Sequence, residues 1–396
     1  MILILVEHPV RELDIAKEIK NKLAYSGIYV EIVSINFNYT WLFNLSKYRI
    51  ILFPSLQWKI INLLEPFFKG TILSLNYEQM LSDANKILKP INGSYLKLKT
   101  LHISWSEEYK QHLTNSGVFS NNIFVINKPS LELFNSLEVN KSITELKRNY
   151  NKQIFIPLTD LQAFKSNQYL SVEFKTVKLY ELAVKRRDYV KRTLNIILKW
   201  LSEACIHFPT FLFILRPHPS ISPKQYNTLL KELGIAKPIN LIVTSDFNAI
   251  EWIRQSDIVL SNYSSLLNDS LEYEKKSFLL EPELFPDYLY YDWMKKFYKI
   301  KSVQSLISML DSVEIQENTV INIDRFNGIT ELTSLIKMKY HIFSSELSFN
   351  ISKSKIINLM PLFIFTMKVF FKKIIFKLNK SLLRPGLVID YFSDLK

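Results

Sequence analysis

The feature that most constrains the fold is the stretch 211–265, in which two predicted buried strands each end in polar residues. The first strand is the apolar run 211–215, and Arg216-Pro217-His218-Pro219 follows it directly. An apolar run of this length is typical of a strand buried on both faces of a parallel sheet. The second strand, 257–260, is followed by Asn262-Tyr263-Ser264-Ser265. Because open α/β sheets bind ligands outside the carboxyl ends of their strands, both polar groups are predicted to line a site.

His218 is the most distinctive residue of this stretch. A proline on each side fixes the backbone and removes an N–H donor, so the imidazole is predicted to be held rigidly. If the extended geometry of the strand continues, Arg216 and His218 lie on the same side of the chain. A guanidinium beside an imidazole is suited to a phosphate or pyrophosphate. We therefore predict phosphate binding for both residues and a catalytic role for His218; the alternative is a structural histidine.

Ser264 and Ser265 open a predicted helix after the second strand. The first turn of a helix presents N–H groups that favour an anion, and the helix dipole acts in the same direction. The alternative is ordinary N-capping. Asp269, one turn later, is placed either to accept a hydrogen bond from a ribose hydroxyl or to face solvent. These three residues join Arg216 and His218 as candidate nucleotide-binding residues.

Composition excludes several other kinds of site. The chain has 396 residues, of which 48% are hydrophobic and 13% aromatic, and this predicts two folded domains. A single cysteine, Cys205, excludes a disulfide framework, and without a cysteine/histidine cluster a structural zinc site is excluded as well. Seven glycines form neither a G-x-G-x-x-G fingerprint nor a P-loop.

The formal net charge of +13 raises the question of an anionic partner. Basic residues are scattered, apart from Lys185-Arg186-Arg187 and the C-terminal tail, and an AT-rich coding bias toward lysine explains much of the excess. No nucleic-acid recognition motif is present, so we expect no nucleic-acid partner. The run 185–187 is predicted to lie on a solvated helix face.

Alternating strand-like and helix-like segments predict an α/β fold with two parallel, doubly wound sheets facing each other across a cleft. We expect a first Rossmann-like domain over 1–140 and a second over 151–320, with a polar linker at 138–151. A helical return segment at 321–350 and a basic amphipathic tail at 351–396 follow. The predicted strands cover 1–6, 29–35, 50–53, 71–75, 100–104, 123–126, 153–157, 211–215, 241–244, 257–260 and 277–280. The predicted helices cover 9–26, 56–68, 107–116, 181–204, 223–233, 249–255, 266–274, 291–294, 303–310 and 329–338.

The tail combines an apolar segment, 356–367, with lysines interleaved among Phe and Ile further on. This pattern suits an anchor that lies in the plane of an anionic cytoplasmic leaflet. The alternative is a terminal helix packed on its own protein. No run approaches the roughly 18 apolar residues of a spanning helix, and the N-terminus lacks the basic start of a signal peptide. We therefore expect a cytoplasmic protein, peripheral on the inner face of the cytoplasmic membrane.

Polar residues also follow the first predicted strand, where a carboxyl end again predicts a site. These are Glu7, His8, Arg11 and Glu12. A carboxylate at this position is suited to deprotonate an attacking hydroxyl, so Glu7 and Glu12 are candidate catalytic bases. Glu7 is preferred, because Glu12 can equally be a helix-start carboxylate favoured by the dipole. His8 and Arg11 are candidate substrate-binding residues.

A second N-terminal candidate site is Trp105-Ser106-Glu107, which follows the predicted strand 100–104. It places an aromatic platform beside a carboxylate, an arrangement common around sugars. Trp105 and Glu107 are therefore candidate substrate-binding residues, with core packing of Trp105 as the alternative.

Taken together, these motifs resemble those of bacterial surface carbohydrate biosynthesis proteins within the GT-B glycosyltransferases. The resemblance spans about residues 1–290 and is carried by 6–13, 105–107, 216–219, 252–253 and 261–265. The His-Pro and paired-hydroxyl signals are similar to those of sialyltransferases and Kdo transferases, which use CMP-activated sugars. They are also similar to those of CDP-glycerol glycerophosphotransferases, where Asp-Tyr-Ser-Ser stands at the place of 262–265.

The resemblance implies a GT-B fold in which His218 and the serines hold the CMP phosphate and an N-terminal carboxylate acts as base. This chain departs from the pattern at two places. The glutamate, glycine and proline usual after the paired hydroxyls are replaced by Asp269, Glu274 and Lys276. The acidic-acidic-glycine base motif of sialyltransferases is absent.

The implied function is an inverting glycosyltransferase of bacterial surface polysaccharide synthesis, for O-antigen or capsule. Its donor would be a CMP-activated sugar such as Kdo or a nonulosonic acid, and its acceptor a glycan or lipid-linked glycan. No Asp-x-Asp triplet is present, so we expect metal independence and no cofactor beyond the nucleotide-sugar substrate. The alternatives are a CDP-polyol phosphotransferase of teichoic-acid type and a non-catalytic GT-B scaffold in a polysaccharide assembly complex.

Overall fold

The computed structural model describes residues 1–36, 38, 40–55, 64, 68–79, 100–136, 140–313 and 327–346. Its strands are β1 (Ile2–Val6), β2 (Val30–Ser34), β3 (Ile50–Phe53), β4 (Thr71–Ser74), β5 (Leu101–Ser104), β6 (Ile123–Val125), β7 (Lys152–Pro157), β8 (Phe211–Arg216), β9 (Leu241–Val243), β10 (Ile258–Ser261), β11 (Lys276–Leu280) and β12 (Tyr298–Ile300).

The α-helices of these residues are α1 (Pro9–Ala24), α2 (Glu107–Asn115), α3 (Pro129–Ser136), α4 (Lys141–Arg148), α5 (Asn167–Glu173), α6 (Val177–His207), α7 (Pro223–Glu232), α8 (Ala249–Gln255), α9 (Ser265–Glu272), α10 (Val303–Ser312) and α11 (Gly328–Glu346). Short 3-10 helices cover Thr40–Lys47, Ser120–Asn122, Leu161–Phe164, Asp287–Leu289 and Asp292–Lys296.

Within the described residues the strands form two six-stranded parallel sheets. The first has the order β2-β1-β3-β4-β5-β6 and the second β12-β11-β10-β7-β8-β9. These sheets with their helices confirm the predicted α/β class. In the first sheet the chain goes from β1 to β2 and then continues on the other side of β1, so the strand order reverses between β1 and β3. In the second sheet the same reversal lies between β7 and β10, and crevices for ligands form at such reversals.

Burial of continuous apolar strands explains why the sheets form. All five residues of β1 are buried, as are the last five of β8. The predicted apolar stripe of α6 is buried as well, and each such side chain contributes roughly 1.5–3 kcal/mol relative to an exposed one. Its members are Val190, Leu194, Ile197, Leu198 and Leu201.

Several element boundaries differ from the predictions for local reasons. Helix α6 begins at Val177 rather than at 181, because the Thr176 hydroxyl caps it by accepting from the N–H of Leu179 at 3.4 Å. The polar stretch interpreted as a linker contains helix α4, capped by Asn140 and held by the buried Ile143. Strand β12 and helices α3 and α5 were not predicted. The predicted helix 56–68, apart from Leu64 and Phe68, and the tail 351–396 lie outside the described residues.

Helix α11 returns to the first sheet and packs against α1 and α3. The Glu132 carboxylate accepts from the N–H groups of Ile329 and Thr330 at 2.6 and 2.9 Å and so caps this helix. A side chain at Gly328 would place its Cβ 2.2 Å from the carbonyl oxygen of Asn127, so this close approach requires glycine. Over the described residues, none of the helices combines the length and apolar character needed to span a bilayer.

Candidate functional site

The carboxyl ends of β7 and β10 are joined by buried side-chain hydrogen bonds. Asn262 donates from Nδ2 to Oδ1 of Asp160 at 2.6 Å, and its own Oδ1 accepts from the N–H of Tyr263 at 2.8 Å. The Tyr263 hydroxyl donates to the carbonyl oxygen of Thr159 at 2.9 Å. Asp160 and Asn262 are 0% and 1% exposed. The loops on the two sides of the crevice in the second sheet are therefore fixed to each other.

Asp160 carries a buried carboxyl group in this network. Burial raises its pKa to about 7, although contacts with Asn262 and Tyr226 act in the opposite direction. Among the described residues, Oδ2 of Asp160 and the Tyr226 hydroxyl both lack a partner in standard hydrogen-bond geometry, although the two groups lie close enough to influence each other. Asp160 was not among the predicted site residues, although it lies three residues beyond β7.

Ser264 caps α9 at the same edge of the second sheet. Its hydroxyl accepts from the N–H of Leu266 at 3.3 Å, and the residue is 6% exposed. Ser265 is the first residue of the helix and is exposed. Because α9 follows β10 directly, its N-terminal N–H groups lie beside the crevice, where they favour an anion.

His218 lies in the loop after β8, the strand next to β7. Its Nδ1 accepts from the N–H of Ser220 at 3.1 Å, and its carbonyl oxygen accepts from Ile221 at 2.8 Å, so a tight turn holds the ring. With Nδ1 as the acceptor, the proton of the neutral imidazole is assigned to Nε2. The ring is therefore a donor at Nε2, and the residue is partly exposed.

Arg216 shapes the neighbouring loop after β9. It is 5% exposed and donates from Nη1 and Nη2 to the carbonyl oxygens of Asp246 and Phe247, both at 2.7 Å. Phe247 has a φ of 59°, a conformation that costs energy for a bulky residue and persists where contacts hold it. Trp252 also donates to the Asp246 carbonyl oxygen, at 2.9 Å. The predicted phosphate contact of Arg216 stays a prediction.

Asp269 forms an ion pair between the two halves of the molecule. Both of its carboxylate oxygens lie 2.6 Å from Nζ of Lys128, which follows β6 of the first sheet. Lys128 also lies over the ring of Trp105, 5.0 Å from its centroid. Asp269 and Trp105 thus both contact Lys128, which was not among the predicted site residues. Ribose binding by Asp269 stays a prediction.

At the carboxyl end of β1, two glutamates occupy different environments. Glu12 is 1% exposed and accepts from Arg11 Nη2 at 2.6 Å and from the N–H of Glu7 at 2.7 Å. Burial raises the pKa of Glu12 above its ordinary value, and these contacts oppose that shift. The Glu7 side chain is 20% exposed and lies 3.7 Å from Nε2 of His8, which is 22% exposed. Glu12 therefore secures the start of α1, and Glu7 is the more accessible carboxylate.

Trp105 and Glu107 differ although they are two residues apart. The backbone N–H of Trp105 donates to Oε1 of Gln79 at 2.6 Å. The Trp105 ring meets the Tyr77 ring edge-on, with centroids 6.5 Å apart. The Glu107 side chain is 74% exposed and pairs with Lys110 on the same helix at 3.1 Å. Trp105 thus packs against Tyr77 and Lys128, whereas Glu107 lies on the exposed side of α2.

The basic run at the start of α6 differs from its prediction. Lys185 is exposed as expected, but Arg186 is only 8% exposed. Its charge acts on the buried hydroxyl of Tyr263 at the carboxyl edge of the second sheet. The solvated face predicted for 185–187 was therefore wrong at Arg186, which lies on the buried side of α6.

No protein-family model matches the sequence, and the search of curated proteins gives no match. Solved structures do match. The wall teichoic acid polymerase TagF is 13% identical, covers 88% of this chain and 90% of its own, and gives a TM-score of 0.55. UDP-N-acetylglucosamine 2-epimerase from Rickettsia bellii is 11% identical, with coverages of 87% and 97% and a TM-score of 0.54. S. aureus MnaA, solved with UDP, is 11% identical, with coverages of 86% of this chain and 96% of its own and a TM-score of 0.54. At these identities the likeness shows the fold, which is GT-B.

Proposed function

We propose that this protein is an inverting, metal-independent glycosyltransferase of bacterial surface polysaccharide synthesis. The observation that supports the proposal is the arrangement of hydrogen-bond donors at the carboxyl edge of the second sheet. The Ser264-capped helix begins there, and His218 lies two strands away, about 10 Å at the usual strand spacing. A phosphate between them would accept hydrogen bonds from Nε2 of His218 and from the N–H groups of α9.

The proposed reaction begins with an acceptor hydroxyl beside Glu7. Glu7 takes the proton while the acceptor oxygen attacks the anomeric carbon, and the bond from that carbon to the nucleotide phosphate breaks. The negative charge that develops on the leaving phosphate is stabilised by His218 and the N-terminus of α9. Arg216 supports this arrangement by holding the neighbouring loop at Asp246 and Phe247.

For the donor we propose a CMP-linked sugar such as Kdo or a nonulosonic acid, on the basis of the His-Pro and paired-serine motifs. The acceptor would be a glycan or a lipid-linked glycan. A second candidate is transfer of a polyol phosphate from a CDP-linked donor. It is favoured by the likeness to TagF, one structure of which was soaked with CDPG and gives a TM-score of 0.52.

The location of the reaction is part of the proposal. We propose that the basic tail 351–396 holds the protein on the inner face of the cytoplasmic membrane. Membrane fractionation of a chain lacking 351–396 tests this, and unchanged membrane association would reject it.

Thermal-shift measurements with CMP, CDP, UDP and GDP test the proposed function. We expect the largest stabilisation with CMP, and we expect His218→Ala to abolish it while leaving the fold intact. His207→Ala is the matched control, because His207 is an exposed histidine at the far end of α6.

Each other outcome has a defined meaning. A preference for CDP favours the polyol phosphotransferase, and a preference for UDP or GDP rejects the cytidine donor. No response to any nucleotide rejects the enzymatic proposal and favours the scaffold.

A further inference from the structure

We propose that Asp160 is a positioning residue of the nucleotide site and takes up a proton when the donor phosphate binds, so that nucleotide affinity rises as the pH falls. The inference rests on the proposed nucleotide site and adds its regulation by pH.

Asp160 lies at the carboxyl edge of the second sheet, beside the reversal of strand order. It follows β7, and its hydrogen-bond partner Asn262 follows β10, the two strands between which the second sheet reverses its order. Two residues after Asn262, Ser264 begins the cap of α9. The orientation of Asn262, and with it the start of the anion-binding helix, therefore depends on the carboxyl group of Asp160.

The carboxyl group of Asp160 is completely buried. A carboxylate that is 0% exposed loses its hydration, and it regains only one hydrogen bond of standard geometry from the described residues, that of Asn262. The pKa is consequently raised to about 7, so the neutral and charged forms are both populated near neutrality. Asn262 donates to Oδ1 in either form, so the network survives the loss of the charge.

A bound phosphate acts on this equilibrium. A negative charge placed at the N-terminus of α9 repels the Asp160 carboxylate through the low-dielectric interior and raises its pKa further. By linkage, protons then bind more tightly in the complex than in the empty protein, and the nucleotide binds more tightly to the protonated protein. The added affinity is fully present below the pKa of about 7 in the empty protein and is lost as the pH rises through the higher pKa in the complex.

The other titratable groups around Asp160 do not supply this effect. Tyr226 faces it from α7 and Tyr263 from the loop after β10, and burial raises the pKa of both hydroxyls well above the ordinary value. Arg186 acts on Tyr263 from α6. His218, in the loop after β8, belongs to a class of side chain that titrates near neutrality, so it needs its own control.

Isothermal titration calorimetry with CMP and CDP at pH 6, 7 and 8, in buffers of different ionisation enthalpy, measures both affinity and proton uptake. For the wild-type protein we expect net proton uptake at pH 7 and about fivefold weaker binding at pH 8 than at pH 6. Asp160→Asn keeps the acceptor for Asn262 and removes the titration, so its proton uptake is smaller and its affinity changes less with pH. The phosphate of CMP also titrates, but it contributes equally to both proteins.

Two further variants keep the test decisive. Tyr226→Phe removes a group that lowers the pKa of Asp160, so the proton uptake is expected to move to higher pH. His218→Asn is expected to weaken binding while retaining the Asp160 component of the uptake. If Asp160→Asn takes up as many protons as the wild type, or if Tyr226→Phe leaves the pH profile unchanged, the inference is wrong. Absence of nucleotide binding at every pH rejects instead the proposed function.

Discussion

The carboxyl edges of the two sheets hold their polar groups in opposite ways. At the second sheet, Asp160 and Asn262 are almost completely buried and bonded to each other across two loops. At the first sheet, Glu7 and His8 are 20% and 22% exposed and 3.7 Å apart. One edge is a fixed, water-excluded arrangement of hydrogen bonds, and the other is charged and accessible.

This difference fits two different chemical tasks. Stabilising a charge that develops at a fixed position needs donors that are already oriented, because reorientation during the reaction costs energy. A general base must exchange its proton with substrate and solvent, so it needs access to both. Glu12 differs from Glu7 within the first edge. Its carboxylate accepts from Arg11 and from the N–H of Glu7, so it holds the start of α1 and is not accessible to substrate.

The largest expected effect comes from removing the accessible carboxylate. Glu7→Gln keeps the shape of the side chain but removes its basicity. We expect kcat to fall about 10²- to 10⁴-fold while nucleotide affinity changes little. The measurement is release of nucleotide from the donor in the presence of a lipid-linked glycan acceptor from a membrane extract.

Glu203→Gln is the matched control for Glu7. Glu203 is exposed near the C-terminal end of α6, so we expect unchanged turnover. If the kcat of Glu7→Gln falls less than tenfold, Glu7 is not the base. The difference in exposure between the two edges then does not reflect a catalytic role.

The next effect concerns the ion pair that joins the two halves. Lys128→Met keeps the apolar stem over Trp105 but leaves the Asp269 carboxylate, with 9% of its side chain exposed, without its cation. We expect a loss of about 3 kcal/mol in the free energy of unfolding, because an uncompensated buried charge is costly. Urea denaturation measures it through the midpoint and slope of the transition.

An exposed pair provides the comparison. Arg192 and Glu283 form an ion pair with side chains that are 59% and 33% exposed, so Arg192→Met is expected to cost below about 1 kcal/mol. The double variant Lys128→Met with Asp269→Leu is expected to recover most of the stability. With Asp269→Leu measured alone as well, a double-variant loss equal to the sum of the two single losses would show that the two charges are not coupled.

Strands and helices were largely predictable because they depend on local patterns. Strand 50–53 and helix 249–255 agree with the structure at both ends, since an apolar run and a capped amphipathic segment define them. Strand β12 was missed because it is only three residues long and two of them, Tyr298 and Lys299, are polar and at least partly exposed. Its place at the sheet edge depends on pairing with β11, which the local sequence does not encode.

The candidate site was predictable in one respect. His218 and Ser264 follow apolar strands, so their place at a carboxyl edge could be expected from spacing alone. Asp160 and Lys128 were not found, because their partners are 102 and 141 residues away in the chain. The signal available for Asp160 was its position just beyond the first strand of the second sheet, next to the reversal of strand order.

The smallest expected effect decides whether the start of α9 is a ligand site or only a capped helix. Ser264→Ala removes a cap, which costs about 1 kcal/mol of stability, and also a hydroxyl donor to a bound phosphate. Ser302→Ala is the matched control, since Ser302 caps α10 in the same half by accepting from Ser305 at 3.1 Å. We expect similar losses of stability in both variants but about tenfold weaker CMP binding only in Ser264→Ala, the fold-change for one hydrogen bond to a charged group. Equal CMP affinities in the two variants would mean that the Ser264 hydroxyl only caps its helix, and the anion site would then rest on the backbone N–H groups and His218.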